Sequence, residues 1–307
     1  MKKILTIALI FSLIVPKLSH ADTFLLFGAR GWIGSQLADL IQKNGDTVIK
    51  AQSRLENRQD IEKEIEATYP DFVINTAAIT GRPNSDWCED HKQETIRANV
   101  IGALNLADIC FTRNIHLTNF CTGCIYEYDN QHQPYETIGF TEQDKPNFDG
   151  SYYSKTKSMV NELMADYPNV LHLRLRICIS DDLHERSFIT KIITYKKIIN
   201  MPNSLTVLHD LLPLSLIMAK RHLAGIYNFV NPGTITHNEV LEMYKQYIDP
   251  TFTYENFSVA EQNRLLKSRR ANNTLDVSKL LQEFPGIPDI KISVQRLFEQ
   301  MRTSLKR

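Results

Sequence analysis

A doubly wound parallel α/β sheet with a smaller interwoven C-terminal lobe is the fold this chain predicts, on three observations. Short apolar runs alternate with helical-period stretches from Thr23 to about Ser180. The first run ends in a glycine-spaced turn that opens the first helix. Beyond Ser180 the regularity loosens, with Pro202, Pro213, Pro232, Pro250, Pro285 and Pro288 breaking shorter elements. Strand–helix alternation of this kind gives a parallel sheet covered on both faces, with ligands at the carboxyl ends of its strands.

The elements follow in order. TFLLFG (23–28) is a buried strand, and WIGSQLADLIQKNG (32–45) has helical periodicity that stops at Gly45, a C-terminal cap residue. DTVIKA (46–51) is the second strand, and DIEKEIEATYP a helix with Asp60 at its N-cap and Pro70 beyond its end. DFVINTAA (71–78) is another strand, and Glu89 to Arg113 reads as one long helix. IHLTNFCTGC, a helix from Tyr152 to Tyr167, and the strand NVLHLRLRICIS complete the alternation. The predicted organisation is a signal-like segment 1–21, a dinucleotide-binding Rossmann-like unit 22–180, and a substrate lobe 181–307 woven into the core without a clean linker.

Composition narrows the function. Lys plus Arg and Asp plus Glu both number 35, and no basic run occurs, which argues against nucleic acid as a partner. Cys88, Cys110, Cys121, Cys124 and Cys178 are odd in number, and no second C-x-x-C or H-x-x-x-H accompanies Cys121 and Cys124, so neither a disulfide scaffold nor a metal site is expected. The segment MKKILTIALIFSLIVPKLSHA reads as a secretory signal peptide, its apolar run too short for a membrane span.

The turn FGARGWIG spaces glycines at Gly28, Gly31 and Gly34. Gly28 permits the tight turn, Gly31 lets backbone approach a pyrophosphate, and Gly34 allows close helix–strand packing, with the helix N-terminus facing the anion. Arg30, Trp32 and Ile33 lie within the same loop. The second strand runs into Gln52, Ser53 and Arg54, with no early acid for a ribose diol. Arg54, with Arg30, suits a 2′-phosphate, so NADPH is expected and NADH is the alternative. Tyr153 and Lys157 form a Y-x-x-x-K that opens a helix, four residues apart on one face. A phenol can donate a proton to a carbonyl undergoing reduction, and a neighbouring ammonium lowers its pKa. Tyr152 has Thr156 four residues on and lacks that partner.

Together Gly28-x-x-Gly31-x-x-Gly34, Asn75-Thr-Ala77-Ala78, Thr122 and Tyr153-x-x-x-Lys157 resemble the extended short-chain dehydrogenase/reductases. The stretches TGRPNSDWCE, ETIRANVIGALNLADIC, TGCIYEYD, PNFDGSYYSKTKSMVNEL, MPNSLTVL and GIYNFVNPG are similar to the bifunctional nucleotide-4-keto-6-deoxyglucose 3,5-epimerase/4-reductases of plant-type UDP-rhamnose synthesis. That resemblance implies a nucleotide-diphosphate 4-keto-6-deoxy sugar as substrate. It implies Thr122, at the end of the fifth strand, as a hydrogen-bond partner of the carbonyl beside Tyr153 and Lys157. It also implies Cys124 as the acid of epimerisation and Lys191, in SFITKI, as its partner. Arg82 and Asn84 after the fourth strand, Asn99 on the long helix, Asn203, and Arg270 are the substrate-contact candidates. The similarity to the plant-type enzymes favours UDP over dTDP as the nucleotide, dimers are frequent in the superfamily, and NADPH and nucleotide sugars belong to the cytoplasm, at odds with the signal-like segment. The alternatives are a reductase without epimerase activity and a non-catalytic dinucleotide-binding regulator.

Overall fold

The computed structural model describes residues 21–305. The signal-like reading of the N-terminal segment therefore falls outside the described residues, apart from Ala21. At the centre lies a six-stranded sheet, all parallel. Its strands are β1 (Thr23–Phe27), β2 (Thr47–Lys50), β3 (Phe72–Asn75), β4 (His116–Thr122), β5 (Val170–Leu175) and the strand Gly225–Asn228. The spatial order is the Gly225–Asn228 strand, β5, β4, β3, β1, β2. The chain thus leaves β1 for one side and crosses to β3 on the other, and a crevice opens at the carboxyl ends of those two strands. Every residue of β3, β4 and β5 is buried, as expected for strands covered on both faces.

Helices α1 (Trp32–Lys43) and Leu208–Lys220 close one face, with Leu37, Ile41, Leu211 and Leu216 buried against Phe24, Leu26 and Leu173. On the other face α2 (Arg58–Thr68) and the helix Ala103–Thr112 pack with Tyr152–Met164 over Leu25, Val73 and Leu117. A third cluster, built from Ile189, Ile192, Val240, Leu241, Val294 and Phe298, belongs to the C-terminal half. That half also supplies the sheet's outermost strand, which binds the lobe to the core.

Several expectations need correction. The α2 cap is Asn57, whose side chain accepts the Asp60 N–H, because Asn in extended backbone reaches the free N–H three residues on. The long helix is broken: Trp87–Asp90 and Lys92–Ile96 are separated at His91, and Arg97–Gly102 winds as a π-helix before Ala103–Thr112. Strand β5 stops at Leu175 rather than running to Ser180. Thr122 ends the fourth strand in chain order, and the Arg82–Asn84 loop follows the third. Among the described residues no helix is long and apolar enough to cross a membrane.

Candidate active site

The glycine turn leads directly from β1 into α1. Gly28 takes φ +79°, and a Cβ there would fall 2.6 Å from the Ala77 nitrogen, so only glycine lets β1 and β3 approach this closely. Gly34 likewise leaves no room for a side chain against the Gly28 carbonyl. Gly31 caps α1 with no side chain and no acid in the first turn, leaving the helix N-terminus open to an anion. From this turn a groove of about 240 Å³ runs past Arg30, Gln52, Ser53, Arg54, Ala77 and Ala78. Arg54 is 80% exposed and leans on Glu56 at 3.5 Å. Glu64 reaches over from α2 to accept both the Gln52 and Ser53 N–H groups, at 2.7 and 2.9 Å, which fixes the end of β2.

Four of the sequence candidates, Trp32, Ile33, Asn75 and Asn99, act behind this groove. The Trp32 indole turns away from it to donate to Asp182 at 2.6 Å and stack on His184, while Ile33 packs on the core. Asn75 is buried: its Oδ1 accepts the Ala77 N–H at 3.0 Å and its Nδ2 donates to Asn119, so it shapes the groove wall. Asn99 is also buried, and its amide is spent on the Ile79 backbone, donating to the carbonyl and accepting from the N–H at 2.8 Å each.

Thr122, Tyr153 and Lys157, the reductive candidates from sequence, lie around the end of β4. The Thr122 hydroxyl accepts the Cys124 N–H at 3.0 Å, with the Tyr153 phenol nearby. Helix Tyr152–Met164 starts at Ser151, whose side chain accepts the Ser154 N–H, and one turn later carries Lys157. Burial, reinforced by the neighbouring Cys124 and Cys121 thiols, pushes the Tyr153 phenol well above its ordinary pKa and holds the proton on it. The expected lowering by the Lys157 ammonium is not what this geometry produces. Lys157 is 4% exposed, and among the described residues its ammonium has no hydrogen-bond or ion-pair partner. Lys155 points to solvent, and Tyr152 lies under Lys92.

Beside the phenol opens a cavity of about 630 Å³, lined among others by Asn84, Cys124, Tyr153, Lys191, His237 and Arg270. Its wall carries six cationic side chains, Arg176, Lys191, Lys196, Lys197, Arg269 and Arg270, and no carboxylate, together with Phe148, Phe188, Tyr195 and Phe257. Arg269 and Arg270 have acidic partners behind the wall, Glu127 and Asp86 respectively. Lys191 rides on the short helix Phe188–Ile192; burial first, then the nearby Arg186, holds its pKa below the usual lysine value. Cys124 is a free thiol, and Cys121 is buried in β4. Arg82 faces Glu185 on the surface at 3.5 Å, and Asn203 is wholly buried, bonded to Arg176, Asn272 and the Asn273 N–H.

Two wall residues escaped sequence reasoning. Arg176 is 1% exposed, and His237 has a buried Nε2 without a partner and a pKa held down at about 4 by burial. The pattern Leu173-Arg174-Leu175-Arg176 in a strand covered on both faces was the available signal for the first. No local signal marks the second.

Residues 24–192 match the NAD-dependent epimerase/dehydratase family. The chain belongs to it. Among family relatives, the Arabidopsis thaliana bifunctional dTDP-4-dehydrorhamnose 3,5-epimerase/dTDP-4-dehydrorhamnose reductase is 53% identical over 90% of this chain and 92% of its own length. A trifunctional UDP-glucose 4,6-dehydratase/UDP-4-keto-6-deoxy-D-glucose 3,5-epimerase/UDP-4-keto-L-rhamnose-reductase from the same plant is 52% identical over 88% of this chain, which spans 41% of that longer protein. The crystal structure of the L780 UDP-rhamnose synthase of Acanthamoeba polyphaga mimivirus superposes with a TM-score of 0.88 at 39% identity, covering 92% of this chain and all of that one. A Bacillus anthracis dTDP-4-dehydrorhamnose reductase, solved with NADP, shares the fold of this family member at 17% identity and a TM-score of 0.78.

Proposed function

We propose that this family member converts a nucleotide-diphosphate 4-keto-6-deoxyglucose to the corresponding β-L-rhamnose nucleotide, by 3,5-epimerisation and then reduction at C4. One observation carries the reading: a proton-bearing phenol, a thiol and an amine of lowered pKa, Tyr153, Cys124 and Lys191, line a single cationic cavity. The more exposed cations of the wall, Lys196, Lys197, Arg269 and Arg270, suit a diphosphate, and the aromatic wall suits a nucleobase.

Epimerisation needs a proton removed α to the ketone and another returned to the opposite face of the ring. Lys191, its ammonium destabilised by burial, is the base, and Cys124 is the acid. Thr122 and Tyr153 hold the enolate oxygen. A nicotinamide dinucleotide held by the glycine turn, Arg30 and Arg54 would supply the hydride for C4 in the second half-reaction. Tyr153 then delivers its proton to the C4 oxygen, and Lys157, one turn along the same helix face, holds the phenol and the cofactor ribose.

NADPH is the proposed cofactor. Glu64 at the end of β2 is committed to backbone N–H groups and Glu56 in the groove is paired with Arg54, whereas Arg30 and Arg54 bring positive charge to the same groove. Arg82, Asn84 and Arg270 are proposed sugar-nucleotide contacts, with Asn99 and Asn203 acting through the backbone and Arg176 they hold. A homodimer through the outward sides of helices Ala103–Thr112 and Tyr152–Met164 accounts for exposed Phe111, Met159 and Leu163. The substrates point to the cytoplasm; a periplasmic species starting at Asp22, found by mass spectrometry of the native N-terminus, would overturn that placement.

Incubation with UDP- or dTDP-4-keto-6-deoxyglucose in deuterated water without NADPH tests the core of the proposal. Deuterium should enter C3 and C5, and NADPH should then be consumed to give the rhamnose nucleotide. Reduction of a pre-epimerised keto sugar without any exchange would leave a reductase only.

A further inference from the structure

We propose that Arg176 is a positioning residue for epimerisation: it fixes the Cys124 thiol and receives the negative charge left on sulfur when that thiol gives up its proton. This deepens the reading above and rests on Cys124 as the proton donor.

Arg176 follows the last residue of β5, lines the cavity and is 1% exposed. Its Nη2 donates to the Ala271 carbonyl at 2.6 Å and to the Asn203 side chain, which is itself held by Asn272 and Asn273. These contacts aim Nη1 at the Cys124 sulfur, 3.2 Å away. The Arg176 Nε has no partner, and among the described residues no carboxylate pairs with the guanidinium. A cation so placed is costly unless an anion forms beside it. Burial lowers the Arg176 pKa, while the neighbouring Cys124 works in the opposite direction. Cys124 is the one acceptor on this cation that can become an anion during turnover.

The proton balance is simple. The S–H bond breaks, its proton forms the new C–H bond on the enolate carbon, and the electron pair stays on sulfur as thiolate against Arg176. Solvent then restores the thiol and removes the proton taken by Lys191. Arg174, two residues earlier in the same strand, makes the opposite case. Its guanidinium donates to Asn161 at 2.7 Å, lies over the Tyr126 ring and does not line the cavity, so it is a packing residue.

The test separates exchange from reduction. Arg176→Met keeps the volume and removes the charge; Arg176→Lys keeps the charge. Deuterium exchange at C3 and C5 of the 4-keto sugar, and NADPH oxidation with the already epimerised 4-keto sugar, are measured on each with a thermal melt. Loss of a charge-assisted hydrogen bond predicts exchange slower by roughly 10- to 100-fold in R176M, with reduction close to wild type and partial rescue in R176K. If R176M does not fold, Arg176→Gln, which retains a donor for the Ala271 carbonyl, must show the same split. Equal loss of both activities, wild-type exchange in the neutral variants, or no rescue by lysine would each overturn the proposal. Absence of exchange in the wild-type enzyme would instead sink the epimerase reading on which it rests.

Discussion

Thr122 closes β4, and Tyr153 and Lys157 share the opening turns of the helix that packs on β4 and β5, so the reductive residues ride on the sheet itself. Cys124, Arg176 and Lys191 stand differently: two residues past β4, one past β5, and on a five-residue helix of the lobe. The first group is pre-placed by a strand buried on both faces and by the helix packed against it. The second is held by side-chain bonds across long stretches of chain, such as Arg176 to Ala271 and Asn203. The difference teaches that one cavity combines a rigid, locally encoded reaction centre with one assembled from separate loops. The two should therefore come apart under mutation.

The largest effect is expected on the rigid side. Tyr153→Phe removes the only proton donor proposed for the C4 oxygen, and NADPH oxidation should fall by about 10²- to 10⁴-fold. Exchange at C3 and C5 should fall much less, because Thr122 still holds the enolate oxygen. Unchanged NADPH consumption would break the reductive assignment. On the assembled side, Cys124→Ala should remove exchange by about 10²-fold or more while sparing reduction of the epimerised sugar. With Lys191 as the proposed free-amine base, the exchange rate should rise with pH and level off below the ordinary lysine range. A rate that fell with rising pH over that interval would reverse the acid and base roles.

That contrast also explains what was legible in sequence. The glycine turn, the Y-x-x-x-K and the Thr122–Cys124 stretch are each local, because a turn, one helix face and one strand end fix their geometry. Arg176 and His237 were not legible as site residues, since their roles depend on Ala271, Asn203 and the cavity wall, remote in sequence. The helical stretch 87–112 misled for a physical reason. Its apolar period is continuous, but Asn99 must reach the Ile79 backbone, and the chain widens into a π-turn where that residue sits.

A smaller effect belongs to the groove. Arg54 is exposed and its tie to Glu56 is loose, so it is free to meet a 2′-phosphate at the cost of one charge-assisted contact. Arg54→Ala should reduce the NADPH-over-NADH preference in kcat/KM by roughly tenfold, leaving exchange untouched. An unaltered preference would shift the selectivity to Arg30 or dismiss it.

The smallest effect concerns stability and divides the wall of the cavity from the body of the sheet. Burial keeps His172, within β5, neutral down to about pH 3, and His237, in the cavity wall, neutral down to about pH 4. In the unfolded chain both take protons near pH 6.5. Below that value the folded protein binds fewer protons than the unfolded one, so stability must fall as the pH drops from about 6.5 toward 4. Asp86 contributes at lower pH only. Hydrogen bonds from Arg270 and Ser268 overcome the cost of its burial and hold it at about 2, so its share is lost as the pH falls below about 3.8. Thermal melts of wild type and His237→Gln between about pH 7 and 4 isolate the His237 share. The variant should lose fewer degrees over that range, by a few degrees for a chain of this size. Parallel pH dependences would mean that His237 takes up its proton in the folded state, and that the cavity wall is as open to solvent as the groove beside it.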